Sequence, residues 1–164
     1  MTENIENNDN FNDALQSSTM LNEDLNSYAT LVDKVVAWLG INVADSKKDK
    51  YKWAFYRGSA LVKIEIFHSK SNSEDYMHVS SPVLKIPKTN VEKFYKRLLE
   101  INNKLFQASF SIKDGYAYLR IIRECKGLDS REIGNMVQRV SYYADEYDDL
   151  LKNEFAEDEA TEQS

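Results

Sequence analysis

The most regular pattern of hydrophobic and polar residues follows Thr89, and it predicts a helix lying on a core. Apolar residues recur there at spacings of three and four, with charged residues between them, as is typical of an amphipathic helix. Thr89 and Glu92 have the spacing of a capping box, so we predict that Thr89 caps this helix. The predicted apolar stripe consists of Val91, Phe94, Tyr95, Leu98, Leu99, Ile101 and Leu105.

A β-hairpin is predicted immediately after this helix. Asp114-Gly115 accepts the two positive φ angles that a type I′ turn requires. A turn at this dipeptide pairs Phe110 with Leu119 and puts apolar residues of both strands on one face. The predicted core-facing residues of the first strand are Phe106, Ala108, Phe110 and Ile112. The opposite face of the second strand carries Tyr116, Tyr118, Arg120 and Ile122.

The first helix of the chain is predicted over 21–39, where apolar residues keep a helical period. Gly40 follows it and suits the position just past a helix end. Ile41 and Val43 then predict a short extended piece, and the polar composition of 44–50 predicts a loop. This loop holds the densest basic run of the chain, formed by Lys47, Lys48 and Lys50.

The remaining elements are three strands and a last helix. Alternating apolar and polar residues predict strands at 51–57, 60–68 and 76–86. Pro82 lacks an amide hydrogen, so it marks a sheet edge, a bulge or the end of the third strand. Asp129 or Ser130 is predicted to cap the last helix, whose apolar stripe continues to Leu151.

The predicted order is therefore α-βββ-α-ββ-α, an α+β fold with a five-stranded, mostly antiparallel sheet. We predict one domain at 21–153. An Asn-rich, acidic N-terminus at 1–20 and an acidic tail at 154–164 contain too few apolar residues to offset the entropy of ordering, so we predict that both are disordered.

The formal net charge of −6 conceals an uneven distribution of charge along the chain. Residues 1–24 contain six acidic and no basic residues, and residues 145–164 contain nine acidic residues and one basic residue. The intervening 25–144 holds 20 basic and 12 acidic residues, a net charge of +8. Two interpretations stay open: acidic ends that only solubilise the protein, or ends that screen a basic binding face.

Residues able to perform chemistry are sparse. One cysteine, Cys125, excludes an internal disulfide, and two histidines besides it cannot complete a structural zinc site. Cys125 ends an apolar strand, where a buried, inert thiol is the common case. We therefore predict no catalytic residues, no metal and no cofactor. The N-terminal 20 residues lack the features of a secretory signal, and no stretch is long enough to span a bilayer, so we expect a cytoplasmic protein.

The best candidate for a binding surface is the outer row of the hairpin. Tyr116, Tyr118, Arg120 and Ile122 combine residue types that are enriched where proteins contact one another. Ordinary cross-strand packing is the alternative explanation. If helices cover one face of the sheet, the other keeps more apolar surface than solubility requires, and we predict that this row contacts a second copy or a partner protein.

Several short segments resemble the YbjN family, whose members are described as bacterial sensory transduction regulators. The resemblance covers about Leu25 to Leu151, and the segments that carry it are Ser81-Pro82-Val83, Leu98-Leu99-Glu100-Ile101-Asn102, Leu119-Arg120, Gly127-Leu128 and Ala144-Asp145-Glu146-Tyr147. It implies a fold like that of the type III secretion chaperones. It also implies a small cytoplasmic protein that binds other proteins, commonly as a homodimer, without catalysis or a cofactor.

Two functions follow from these observations. The leading hypothesis is a non-enzymatic bacterial protein-binding module, either a regulator or a chaperone-like holder of an extended segment. The alternative is a nucleic-acid-binding regulator that uses the basic body of the domain. The lysines are spread over loops and a helix, and no aromatic and basic signature of an RNA-binding sheet is present, so nucleic acid is the weaker hypothesis.

Overall fold

The described part of the chain, residues 23–155 of a computed structural model, is built on one six-stranded sheet. Within this range there are four helices, three long and one of a single turn, with the bounds given next. The elements are α1 (Glu23–Trp38), α2 (Val43–Ser46), β1 (Lys47–Asp49), β2 (Lys52–Arg57), β3 (Ala60–Ser69), β4 (Glu74–Lys85), α3 (Val91–Asn102), β5 (Ser109–Lys113), β6 (Tyr116–Glu124) and α4 (Ser130–Phe155).

The strands lie in the order β1-β2-β3-β4-β6-β5, and each neighbouring pair is antiparallel. The predicted α+β class is therefore confirmed, but the sheet has six strands and not five. The additional strand and the helix α2 lie where we predicted an extended piece and a polar loop. Asn42 begins α2 by accepting a hydrogen bond from the Asp45 amide at 3.2 Å, and Lys47 then pairs with Trp53 of β2.

The hairpin has the predicted turn and register. Asp114 and Gly115 have φ angles of 50° and 78°, and Phe110 lies opposite Leu119. Phe106, however, does not face the core as predicted, because its side chain is 74% exposed. Gln107 has a φ of 59°, and this left-handed residue interrupts the alternation before β5 begins.

The helix ends follow local chemistry, with one exception. The Asp129 carboxylate accepts a hydrogen bond from the Glu132 amide at 2.8 Å, and Glu132 accepts one from the Asp129 amide at 3.2 Å, so Asp129 is the residue that caps α4. The predicted Thr89 cap of α3 is wrong. The N-cap position is Asn90, which has a φ of 52° and makes no capping hydrogen bond with its side chain.

One hydrophobic cluster joins the three long helices to the inner face of the sheet. The apolar residues of α3 divide into two sets, although we predicted one core-facing stripe. Phe94, Leu98 and Ile101 are buried, whereas Tyr95 and Leu99 are exposed, Leu99 at 67%. The predicted stripe covered a wider arc of the helix than the sheet can bury.

The ends of the predicted domain lie close to the limits of the described residues. The predictions for 1–20 fall outside them, as do those for the tail beyond residue 155. Helix α4 itself continues to Phe155, which is buried and lies edge-on to Phe94 at a centroid distance of 5.1 Å. Pro82 forms a bulge, because the register between β4 and β6 shifts between Pro82 and Leu84.

Candidate functional site

The predicted row lies on the side of β6 that faces away from the core. Residues of β6 alternate between buried positions, which belong to the core cluster, and positions that are half-buried or exposed. We call the corresponding side of the central strands the open face, because the buried hydrophobic residues of the long helices belong to the core on the other side. It comprises Lys63, Glu65, Phe67, Tyr76, His78, Ser80, Pro82, Tyr116, Tyr118, Arg120 and Ile122.

Side chains of the open face pack against one another across the strands. The Phe67 and Tyr76 rings stack at 5.8 Å, and Phe67 is only 5% exposed although it lies outside the core cluster. The Lys63 ammonium lies 5.6 Å from the centre of the Tyr118 ring, a cation–π contact. The open face is thus an ordered, partly apolar surface.

The electrostatics of the open face are set by burial. Burial, together with the charges of Arg120 and Lys113, lowers the pKa of His78 to about 4, so His78 is neutral at pH 7. Burial also lowers the pKa of Arg120. The Glu65 carboxylate is paired with Lys52 at 2.8 Å. Lys63 and Arg120 are further positively charged residues of this face.

The residues considered for chemistry are not brought together. His78 lies opposite Glu65 of β3, which is three residues from His68 on the same strand. Because side chains alternate along a strand, His68 and His78 lie on opposite faces of the sheet. Burial raises the pKa of the Cys125 thiol to about 12, which disfavours the nucleophilic thiolate. No three His, Cys, Asp or Glu residues within 23–155 could hold a metal ion. Among the helices of this range, none is long and apolar enough to cross a membrane.

A second surface, which the sequence did not reveal, lies where α3 meets the outer strand. We call it the apolar edge. The Asn102 side chain at the end of α3 accepts a hydrogen bond from the Phe110 amide at 2.7 Å, which ties the helix to β5. Strand β5 is the last strand of the sheet, and its outer side pairs with no described strand. The exposed apolar residues here are Tyr95, Leu99, Phe106 and Ile112.

A third surface is a groove of about 440 Å³ between α1 and α4, which we call the α1/α4 groove. Sequence periodicity did not predict this groove, because its lining residues come from α1, β2 and α4, which are distant in sequence. Trp38 at the end of α1 is 79% exposed and lies against Gly134 of α4. The lining residues are Lys34, Val35, Trp38, Leu39, Arg57, Ser130, Arg131, Gly134, Asn135 and Gln138.

The predicted basic run is engaged in local contacts. Lys47 forms an ion pair with Asp33 at 2.8 Å and lies over the Trp53 ring at 5.2 Å. Lys48 donates a hydrogen bond to the Asp45 carbonyl at 2.8 Å. These contacts stabilise the segment around α2 and β1 and give the nucleic-acid hypothesis no concentrated site there.

Comparison with known proteins finds similarity of fold. No family model matches the chain, and no curated protein sequence matches it, so the likeness to the YbjN family remains a resemblance. The chain is similar to the crystal structure of the ExsC–ExsE complex, with a TM-score of 0.59 and 12% identity, over 76% of this chain and 93% of the matched one.

Two further complexes are similar to the chain. The HopA1–SchA chaperone–effector complex has a TM-score of 0.58 and 8% identity, over 79% of this chain and 99% of the matched one. The ExoT–SpcS complex from Pseudomonas aeruginosa has a TM-score of 0.51 and 11% identity, over 76% and 98%. These similarities show that the chain has the type III secretion chaperone-like fold that the resemblance implied.

Proposed function

We propose that this protein is a non-enzymatic, cytoplasmic, protein-binding module of the chaperone type, related to the YbjN family that its sequence resembles. In this proposal it holds a segment of another protein against the open face and works as a homodimer. The support comes from the fold, from two apolar surfaces, and from the nature of the similar structures, one of which is described as a chaperone–effector complex.

The observation that carries the proposal is the composition of the open face. Tyr118, Arg120 and Ile122 are half-buried without belonging to the core, and they lie beside His78 on a face that no described helix covers. Aromatic and arginine side chains of this kind provide most of the binding energy in protein interfaces. Lys63 lies on this face beside Tyr118 and favours a partner segment that combines apolar side chains with carboxylates.

The apolar edge supports self-association. Leu99 and Phe106 are large apolar residues in a position where solvent contact is unfavourable. The outer edge of β5 pairs with no described strand, although the Asn102 side chain already accepts a hydrogen bond from the Phe110 amide there. Two copies related by a two-fold axis would bury the same apolar patch twice, and this argues for a second copy as the occupant.

Two sets of variants test the two surfaces separately. We expect Leu99→Glu with Phe106→Glu to keep the native circular dichroism spectrum and to lower the mass measured by light scattering. We expect Tyr118→Glu with Ile122→Lys to keep both the spectrum and the mass, but to lose the proteins that the wild type captures from native lysate. Tyr142→Glu changes an exposed aromatic residue of α4 and is the matched control.

Retention of every captured protein by the Tyr118→Glu, Ile122→Lys variant would exclude the open face as the binding surface. The eluates should be analysed for nucleic acid as well as protein. Captured DNA or RNA that is released steeply as salt increases, in the absence of a captured protein, would support the nucleic-acid alternative, because phosphate contacts depend strongly on ionic strength.

A further inference from the structure

The α1/α4 groove has a cationic lining without counter-charges. Lys34, Arg57 and Arg131 are among its ten lining residues, and none of the ten is acidic. Within 23–155, no carboxylate forms an ion pair with any of these three cations. The Nη1 atom of Arg57 is shut off from solvent and has no described hydrogen-bond partner. A buried donor of a charged group is costly when it is unpaired, so a ligand of this groove should carry carboxylates.

The lining of the same groove also favours a ligand with an apolar side chain. Trp38 forms one wall and is 79% exposed, whereas the other tryptophan, Trp53, is 1% exposed. Val35 and Leu39 add aliphatic surface, and Gly134 leaves the floor without a side chain. An exposed tryptophan in a concave apolar site is typical of a contact residue. The fitting ligand therefore has an aromatic or aliphatic residue flanked by acidic ones.

The chain itself contains such a segment outside the described residues. Asp9-Asn10-Phe11-Asn12-Asp13 places one phenylalanine between two carboxylates, and residues 1–22 contain four acidic and no basic residues. Residues 156–164 also contain four acidic residues and no basic residue, but no apolar residue larger than alanine. Only the N-terminal segment matches both the charge and the apolar surface of the groove.

The length of the connection permits this contact. Helix α1 begins at Glu23 and ends at Trp38, so its rise places the groove about 22 Å from the start of the helix. The 11 residues between Phe11 and Glu23 give 12 Cα–Cα steps, which reach about 40 Å when extended. The segment therefore has enough chain to return along α1 and place Phe11 beside Trp38.

We infer that the α1/α4 groove binds the acidic N-terminal segment of its own chain, with Phe11 against Trp38 and with Asp9 and Asp13 facing Lys34, Arg57 and Arg131. In this arrangement the phenylalanine ring covers the exposed tryptophan, and the two carboxylates lie near cations that form no ion pair within 23–155. This contact does not rest on the proposed function, which places the partner protein on the open face.

A spin label on the full-length chain tests the contact directly. Gln16→Cys provides a labelling site near Phe11, and the native Cys125 does not compete for the reagent because it is buried. The label should broaden the indole N–H signal of Trp38 in a nuclear magnetic resonance spectrum, causing most of its intensity to be lost. The Trp53 indole is recognised separately, because it is buried and donates a hydrogen bond to Asp33 at 2.8 Å.

Variants in the segment establish which residues make the contact. We expect Phe11→Ala, and separately Asp9→Asn with Asp13→Asn, to restore the Trp38 signal in the labelled protein, while the control Ile5→Ala does not. High salt should also restore it, because the charges are partly exposed. None of these substitutions touches the described fold, so loss of folding cannot imitate the result.

Several outcomes would overturn the inference. An unbroadened Trp38 signal excludes the contact, and broadening that survives Phe11→Ala excludes Phe11 as its anchor. Equal broadening from a label at Thr161→Cys, in the acidic C-terminal segment, would indicate charge attraction without specificity. Broadening that appears only when labelled protein is mixed with an unlabelled, isotope-enriched copy would assign the groove to a second molecule. Failure to capture a partner protein would affect none of these readings.

Discussion

Asp114 and Gly115 both have positive φ angles, and this pair of residues sets which side chains of the last hairpin face the core. A two-residue turn allows only one register, and a slip of one residue would move every side chain of β6 to the other face. The outer row of Tyr118, Arg120 and Ile122 therefore depends on the conformation of two residues at the tip.

We expect Gly115→Val to lower the free energy of unfolding by about 1–3 kcal/mol, because a β-branched residue resists the left-handed region. Urea denaturation followed by circular dichroism measures this change. Asp114→Asn is the control and should have little effect, since asparagine tolerates positive φ. An unchanged midpoint for Gly115→Val would mean that the turn does not constrain the hairpin.

His78 makes the stability depend on pH. Its pKa falls from 6.5 to about 4 on folding, so the unfolded chain binds more protons between these values, and stability is lost as the pH falls through this window. The full shift corresponds to a loss of about 3 kcal/mol, and no further loss from this group is expected below pH 4. His78→Gln should reduce the difference between unfolding free energies measured at pH 7 and pH 4.5. An equal loss in both proteins would assign the pH dependence to other groups.

At the scale of the elements, the two predicted helix caps differ in outcome although both have a glutamate three residues after the capping candidate. Asp129 and Glu132 form both reciprocal hydrogen bonds, whereas α3 begins after Asn90 and leaves Thr89 outside the cap. The left-handed conformation of Asn90 is compatible with this residue type. A capping sequence thus allows a helix to begin at that position. The backbone conformation of the residues just before the helix determines whether the cap forms.

We expect Asp129→Ala to destabilise the protein by about 1 kcal/mol, because the amide of Glu132 loses its acceptor. Thr89→Ala should change the unfolding free energy by less than about 0.5 kcal/mol, as for a surface residue without a capping role. Thermal unfolding of both variants measures the two effects under the same conditions. A larger effect for Thr89→Ala than for Asp129→Ala would contradict the cap assignments.

At the scale of the whole molecule, all three long helices pack on one side of the sheet, and the last residue of α4 contributes to the same core. Phe155 is buried against Phe94, and Glu154 forms a bidentate pair with Arg97 at 2.7 Å. The core therefore extends two residues beyond the predicted domain limit at residue 153.

We expect a chain shortened to residues 23–155 to keep its thermal midpoint within a few degrees of the full-length protein. A chain that ends at residue 153 lacks Phe155 and should lose about 3 kcal/mol, as when a buried phenylalanine is removed from a core. Differential scanning calorimetry compares the two directly. Equal midpoints would mean that the contact with Phe94 contributes little. A large drop for 23–155 would mean that the terminal segments, including the inferred contact of the N-terminal segment with the α1/α4 groove, contribute much more to stability than expected.

The sequence by itself determined the features that depend on residues close together along the chain. Helical and alternating periods predicted the long elements, Asp114-Gly115 predicted the turn and register, and Asp129 was one of the two residues predicted to cap α4. Each of these features arises from local backbone preferences or from the side-chain period, both of which can be inferred from a short stretch of residues.

Only the tertiary structure decided how much of each apolar surface is covered. Leu99 and Phe106 have the spacing of core residues, yet both are exposed. The apolar arc of α3 is wider than the sheet can bury, and the left-handed Gln107 interrupts the alternation between Phe106 and β5. Trp38 and Arg57 lie 19 residues apart in sequence and meet only because α1, β2 and α4 converge around one groove. Burial depends on which elements lie together, and the spacing of residues along one element carries no information about its neighbours.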